Sequence, residues 1–263
     1  MASHPAIITP ALLSSLRAHP NLPAHTWYFI AAVTLSQLNR PDEIPKVYLH
    51  ALRTTPDGLT PSHDEKLQIS RRMREALVKA AAVGGVPRTI NALLELKKAT
   101  PEELLDVPEP AGPAAAGASP SPSPTGRRAD LYDTPVPEVL QRGQAFFNDI
   151  YGKVARRVMS QMDNCGTEDL GLVARLMYAY VLSSTAVLSP AETSFVMIAG
   201  LVPQDVNPQL KGHLRGALNG GATLEQVRAV RSVAVDLCRA AGMRLLDPGE
   251  PGGFGWRSEP VDL

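Results

Sequence analysis

Apolar residues recur along this chain at three- and four-residue spacing, and no run of strand-like alternation stands out. The clearest stripe follows Thr223, where Val227, Val230, Ala234, Leu237, Cys238 and Ala241 fall on one side of a helix predicted over 224–241. Val154, Val158 and Met162 predict another helix after Gly152. Ser70 to Val83 predicts a third, ending at Gly84-Gly85-Val86-Pro87, where glycine permits a positive φ. Helix starts are marked as well. Ser189-Pro190-Ala191-Glu192 is a capping box with proline at the first helical position, and Thr223 to Gln226 is a second. Thr100-Pro101-Glu102-Glu103 has the same form. The pattern predicts an all-α protein.

One stretch breaks it. Residues 107–126 read VPEPAGPAAAGASPSPSPTG, with six prolines in twenty positions. Proline at that density cannot sustain a helix or a packed core. A linker is expected there, dividing the chain into 1–106 and 127–263, with cleavage by proteases expected first between Pro108 and Gly126. The halves read as diverged copies. Shifted by 166 residues, Phe29–Leu52 lies on Phe195–Leu218 without a gap. Four positions are identical. The shared shape says more: an apolar helix, a break containing proline, then a second helix ending in Ala-Leu.

Composition narrows the function classes. Lys plus Arg and Asp plus Glu each number 26 in 263 residues, so no phosphate-tracking surface is signalled and no nucleic-acid partner is expected. The longest apolar run, Phe195 to Val202, is too short to span a bilayer, and no membrane association is expected. Only 5% of residues are aromatic, which suits helix-on-helix packing. The two cysteines, Cys165 and Cys238, form no CxxC, so neither a thioredoxin-type dithiol nor a zinc knuckle can be written. No cofactor motif is present. A reducing, cytoplasmic location is the default expectation. Residues 1–41 carry no Asp or Glu, which gives a mitochondrial presequence as its alternative, and Val261-Asp262-Leu263 is not a peroxisomal address.

Val139 to Met243 resembles the carboxymuconolactone decarboxylase family, whose all-helical fold is shared with the alkylhydroperoxidase D proteins. The resemblance rests on Arg142-Gly143 followed by Ile150-Tyr151-Gly152, on Glu192 at a helix start, and on His213-Leu214-Arg215-Gly216-Ala217-Leu218-Asn219. It implies two helical repeats packed as an internal pseudo-dimer, and further self-association into a homo-oligomer. The peroxidase branch carries E-x11-C-x2-C-x3-H. Counted from Glu192, its cysteine positions fall on Gln204 and Asn207 and its histidine position on Lys211. Without those thiols a peroxide-reducing cycle has no nucleophile and no resolving partner.

The decarboxylase branch needs no cysteine. The resemblance therefore implies acid–base chemistry on a small carboxylate by Glu192 and His213, with Arg215 or Lys211 binding the carboxylate. Each residue also has a plain structural reading. Glu192 completes a capping box, and His213 can be a satisfied core histidine. Arg215 lies about 200° round the helix from His213, which suits an ion pair on the opposite face. In the first copy Thr26 aligns with Glu192 and Val47 with His213, so no acid–base pair is expected there. Arg71, Arg74 and Glu75 read as a solvated or interface face. A non-catalytic binding or assembly module of the same fold stands as the second reading.

Overall fold

The protein is all-α. A computed structural model describes residues 6–53, 55, 58–106, 123–249 and 252–263, so most of the proline-rich linker lies outside the described residues. In the first half, α1 (Pro10–Arg17) precedes α2 (Trp27–Gln37), α3 (Ile44–Arg53), α4 (His63–Gly84) and α5 (Val86–Ala99). In the second, α6 (Arg127–Tyr132), α7 (Val136–Tyr151), α8 (Ala155–Asp163) and α9 (Asp169–Leu176) lead into a π-helical turn, Met177–Leu182. Then come α10 (Pro190–Leu201), α11 (Asn207–Asn219) and α12 (Leu224–Ala240). Two two-residue strands, β1 (Arg244–Leu245) and β2 (Gly255–Trp256), pair in parallel near the C-terminus.

Two helices form the centre. Every residue of α2 is buried, as is every residue of α10 from Thr193 to Leu201. A helix apolar all round can only be an interior one. α2 packs on α10 and on α12, while α10 packs on α2 and on α4. The contacts are reciprocal, so the two halves share one core rather than closing two separate ones. Small residues allow the close approach: a Cβ added at Gly200 would sit 2.8 Å from Val83 Cγ2, and Thr34 Oγ1 reaches Ala199 O at 3.4 Å. On the far side α7 lies against the π-helical turn, where a Cβ at Gly143 would meet Ala179 Cα at 2.5 Å.

Polar groups tie the halves together from one stripe of α4. Arg72, Glu75 and Lys79 lie three and four residues apart and all face the second half. Arg127 grips Glu75 at 2.6 and 2.7 Å through both guanidinium nitrogens. Lys79, fully buried, donates to Leu182 O and Ser184 O at 2.7 Å and to Thr193 Oγ1 at 2.8 Å. Arg72, Glu75 and Lys79 thus form the seam, while Arg71 and Arg74 pair with Asp106 of the same half.

Two helix starts differ from the sequence reading. α4 begins at His63, not Ser70, because Ser62 and Glu65 form a reciprocal capping box. Thr100 starts no helix: its hydroxyl donates back to Leu96 O at 2.7 Å and closes α5, and only a 3₁₀ turn follows. The boxes at Ser189 and Thr223 form as expected.

Candidate functional site

A cavity of about 490 Å³ opens between α1, α2, α3 and the start of α4, and its inner end is closed by Glu192 from the first turn of α10. Its walls are half apolar, including Leu22, Trp27, Ala51, Pro61 and Ile69. Arg72, Tyr28 and Glu192 form the polar end. Arg72 lies over the Phe29 ring, 5.4 Å from its centre, and all five of its N–H groups are engaged. Nε donates to Tyr28 Oη at 3.1 Å. Nη1 reaches Val187 O and Glu192 Oε2, each at 3.5 Å. Nη2 donates to His25 O at 3.2 Å and to Glu192 Oε1. His25 is one of the few non-glycine residues with a positive φ, 60°, and the Arg72 bond holds it there.

Glu192 keeps its capping role as well, accepting from Ser189 N at 2.9 Å. Burial would push its carboxyl up, but the hydrogen bond and charge of Arg72, with Ser189, outweigh burial and hold it below the ordinary carboxylate value. It is therefore ionised at neutral pH. Burial pushes the Tyr28 phenol up to about 12, with Arg72 pulling the other way, so the phenol keeps its proton. Among the described residues the one hydrogen bond at Tyr28 Oη is the one it accepts from Arg72, so its proton is still to be given.

His213 lies elsewhere. It sits on the inner face of α11, 7% exposed, with Nε2 3.5 Å from Tyr151 Oη and Nδ1 buried without a partner. No hydrogen bond joins it to Glu192, whose partners are Ser189 and Arg72. Lys211 and Arg215 are on the exposed face of α11, away from the cavity lining. The four residues singled out in the sequence thus separate into one at the cavity, one in the core and two on the surface. Burial alone pushes His213 down to about 4, so at neutral pH it is an uncharged ring.

A pH effect follows. The folded-state pKa of His213 is depressed, so the unfolded chain takes up its proton first as pH falls. Its contribution is complete above pH 6.5 and lost between 6.5 and 4. Urea titrations at pH 7 and 4.5 are expected to show wild type losing about 2–3 kcal/mol more than His213→Leu between the two. Equal losses in both proteins would refute the burial argument.

The two cysteines are far from this site. Cys165 is exposed, with Sγ 3.1 Å from Gln161 O. Cys238 is buried in α12, where burial pushes its thiol well above the usual range. Among the described residues no three His, Cys, Asp or Glu side chains gather as a metal site, and no helix is long and apolar enough to cross a membrane.

Arg72 and Tyr28 are absent from the sequence reading. Arg72 is hidden in a run of arginines, and Tyr28 lies two residues from Thr26, the position aligned with Glu192. The expected duplication carried the signal. If two copies pack face to face, the partner of Glu192 comes from the other copy, where Arg72 lies.

No family model matches the chain. Two curated proteins do. Peroxisomal protein 2 of Schizosaccharomyces pombe is 36% identical over 222 residues, covering 84% of this chain and 89% of the relative. Peroxisomal protein 2 of Saccharomyces cerevisiae is 35% identical over 269 residues, covering 88% and 94%. The chain belongs to the Peroxisomal protein 2 family. That membership overturns the expectation of a cytoplasmic or mitochondrial chain, because the relatives carry a peroxisomal name. The expectation rested on cysteine usage and an acid-poor start, neither of which separates one reducing compartment from another.

Proposed function

We propose that this member of the Peroxisomal protein 2 family works in the peroxisome, binds a small organic molecule in the cavity of its first half that Glu192 of the second half completes, and moves a proton on it. The compartment comes from the relatives' name, which says nothing of chemistry. The chemistry is read from the cavity. Glu192 is the proton acceptor, ionised and one-fifth exposed. Tyr28 is the donor to an oxygen of the bound molecule. Arg72 holds both at the inner end. This is the acid–base reading implied by the carboxymuconolactone decarboxylase resemblance, with the partner of Glu192 changed from His213 to Arg72 and Tyr28. The observation that carries it is the convergence of these three residues in one cavity of about 490 Å³, a size typical of ligand sites.

A second reading, a binding module without turnover, is favoured by one fact: Glu192 already accepts from Ser189 and Arg72. Deuterium uptake tests the first reading. A panel of small carbonyl compounds and carboxylic acids is incubated with the protein in D2O and followed by proton NMR. Protein-dependent exchange next to a carbonyl is expected, and it should disappear in Ala51→Phe, which builds a ring into the void. Exchange undiminished in Ala51→Phe would sink the assignment to this cavity.

A further inference from the structure

We propose that the molecule this cavity takes is uncharged: an apolar skeleton bearing a carbonyl oxygen that accepts from Tyr28 Oη, rather than a carboxylate. The inference rests on the cavity being the working site. It departs from the small-carboxylate substrate expected from sequence, and three observations carry it.

The first is a count of donors. A carboxylate in an apolar pocket needs a cation with free N–H groups, usually two side by side. Arg72 is the arginine at the inner end, and its five N–H groups already serve Tyr28, Val187, His25 and both oxygens of Glu192. A ligand carboxylate could take two neighbouring ones only by displacing Tyr28 and His25 on one edge or Glu192 on the other, and the second exchange leaves a four-fifths-buried carboxylate without its cation. Truncated buried pairs cost several kcal/mol, which a small ligand does not recover. Lys211 and Arg215, the cations the sequence offered, are on another face.

The second is net charge. The lining holds Arg17 and Arg72 against Asp64, Glu65 and Glu192, one negative charge in excess. The start of α4 would draw an anion by its dipole, but it is already occupied by acids: Glu65 accepts from Ser62 N at 2.7 Å, and Asp64 sits in the same turn. Asp64 and Glu65 are exposed, so water screens their repulsion of a second anion, and Glu192, four-fifths buried, supplies most of it.

The third is the spare hydrogen-bonding capacity. Tyr28 has a proton to give, and Glu192 Oε1 retains a lone pair. One donor beside one acceptor matches a carbonyl compound with a removable proton on the adjacent carbon. Glu192 takes that proton, and the C–H electron pair becomes the C=C bond of an enolate. The charge reaching oxygen meets the Tyr28 O–H. Return of the proton to the same carbon gives the exchange that deuterium uptake reads; where a C=C bond is conjugated with the enolate, return to the far carbon of that bond completes an isomerisation with no further reactant.

The test uses four probes with one skeleton: octan-2-one, octan-2-ol, octanoate and octylammonium. The chain has two tryptophans, and only Trp27 lines the cavity, so its indole N–H signal in a nitrogen-15 spectrum reports occupancy, with Trp27→Phe giving the assignment. At pH 7.5 octan-2-one is expected to move the Trp27 signal and to bind at least about tenfold tighter than octanoate, a difference of about 1.4 kcal/mol. The alcohol should fall between them. Tyr28→Phe should weaken the ketone about tenfold and leave octanoate unchanged, since only the phenol proton is removed. Octanoate or octylammonium binding as tightly as the ketone, with Trp27 responding, would overturn the inference while leaving the cavity as the site. No response of Trp27 to any probe would overturn both. Ketone affinity unchanged in Tyr28→Phe would overturn the assigned contact.

Discussion

Lys79→Met is expected to cost about 3–5 kcal/mol of folding stability, because it removes one partner from a buried polar cluster and leaves the rest in place. Lys79 has no exposed surface. Burial pulls its pKa down to about 7, against the upward pull of Glu75 3.8 Å away. Three acceptors at 2.7–2.8 Å use the three protons of the ammonium form. Two of them, Leu182 O and Ser184 O, lie where the π-helical turn ends and its carbonyls lack intrahelical donors. Methionine fills the space but donates nothing, so both carbonyls and the Thr193 hydroxyl lose their partner in the interior. The check is the urea midpoint, which should fall with no change in slope. A loss below about 1 kcal/mol would show that Lys79 is not the tie between the halves described here.

Glu192→Gln separates catalysis from scaffolding. Glutamine keeps the shape and can still accept from Ser189 N, so the first turn of α10 stays capped. What disappears is the negative charge that accepts a proton. Deuterium uptake is therefore expected to fall by about 10²- to 10⁴-fold, the usual contribution of a general base. Ligand-induced movement of the Trp27 signal should persist. Exchange at the wild-type rate would remove Glu192 from the chemistry and promote the binding module.

The fold class was legible because helix signals are local. Capping boxes at Ser189 and Thr223 and the stripe from Val227 to Ala241 each depend on residues within a few turns, and each formed as read. The start of α4 was equally local in Ser62-His63-Asp64-Glu65 and was passed over. Thr100 misled because the same side chain that caps a helix start can bond backward to the preceding turn.

The site was less legible because it is assembled across the chain. Glu192 and Arg72 are 120 residues apart, and no periodicity links them. His213 drew attention as a titratable residue at a helix position matching a known motif. Burial without charged neighbours makes it an uncharged core imidazole here, with Nδ1 lacking the partner that a satisfied core histidine has. Arg71, Arg74 and Glu75 read from sequence as a solvated or interface face, and Glu75 lies at the interface with the second half. The stripe of Arg72, Glu75 and Lys79 faces inward because the second half supplies Arg127, Thr193 and Glu192 to meet it.

The central claim is that the inner end of the cavity, made by Arg72, Tyr28 and Glu192, is where this protein handles its ligand. A crystal structure of the protein soaked with octan-2-one tests it most directly. Density is expected in the cavity with the ketone oxygen within hydrogen-bond reach of Tyr28 Oη, its carbon chain along Trp27 and Ile69, and the Arg72–Glu192 pair intact. Ketone density beside His213 with the cavity empty, or an Arg72 swung away from Glu192 to meet the ligand, would contradict it.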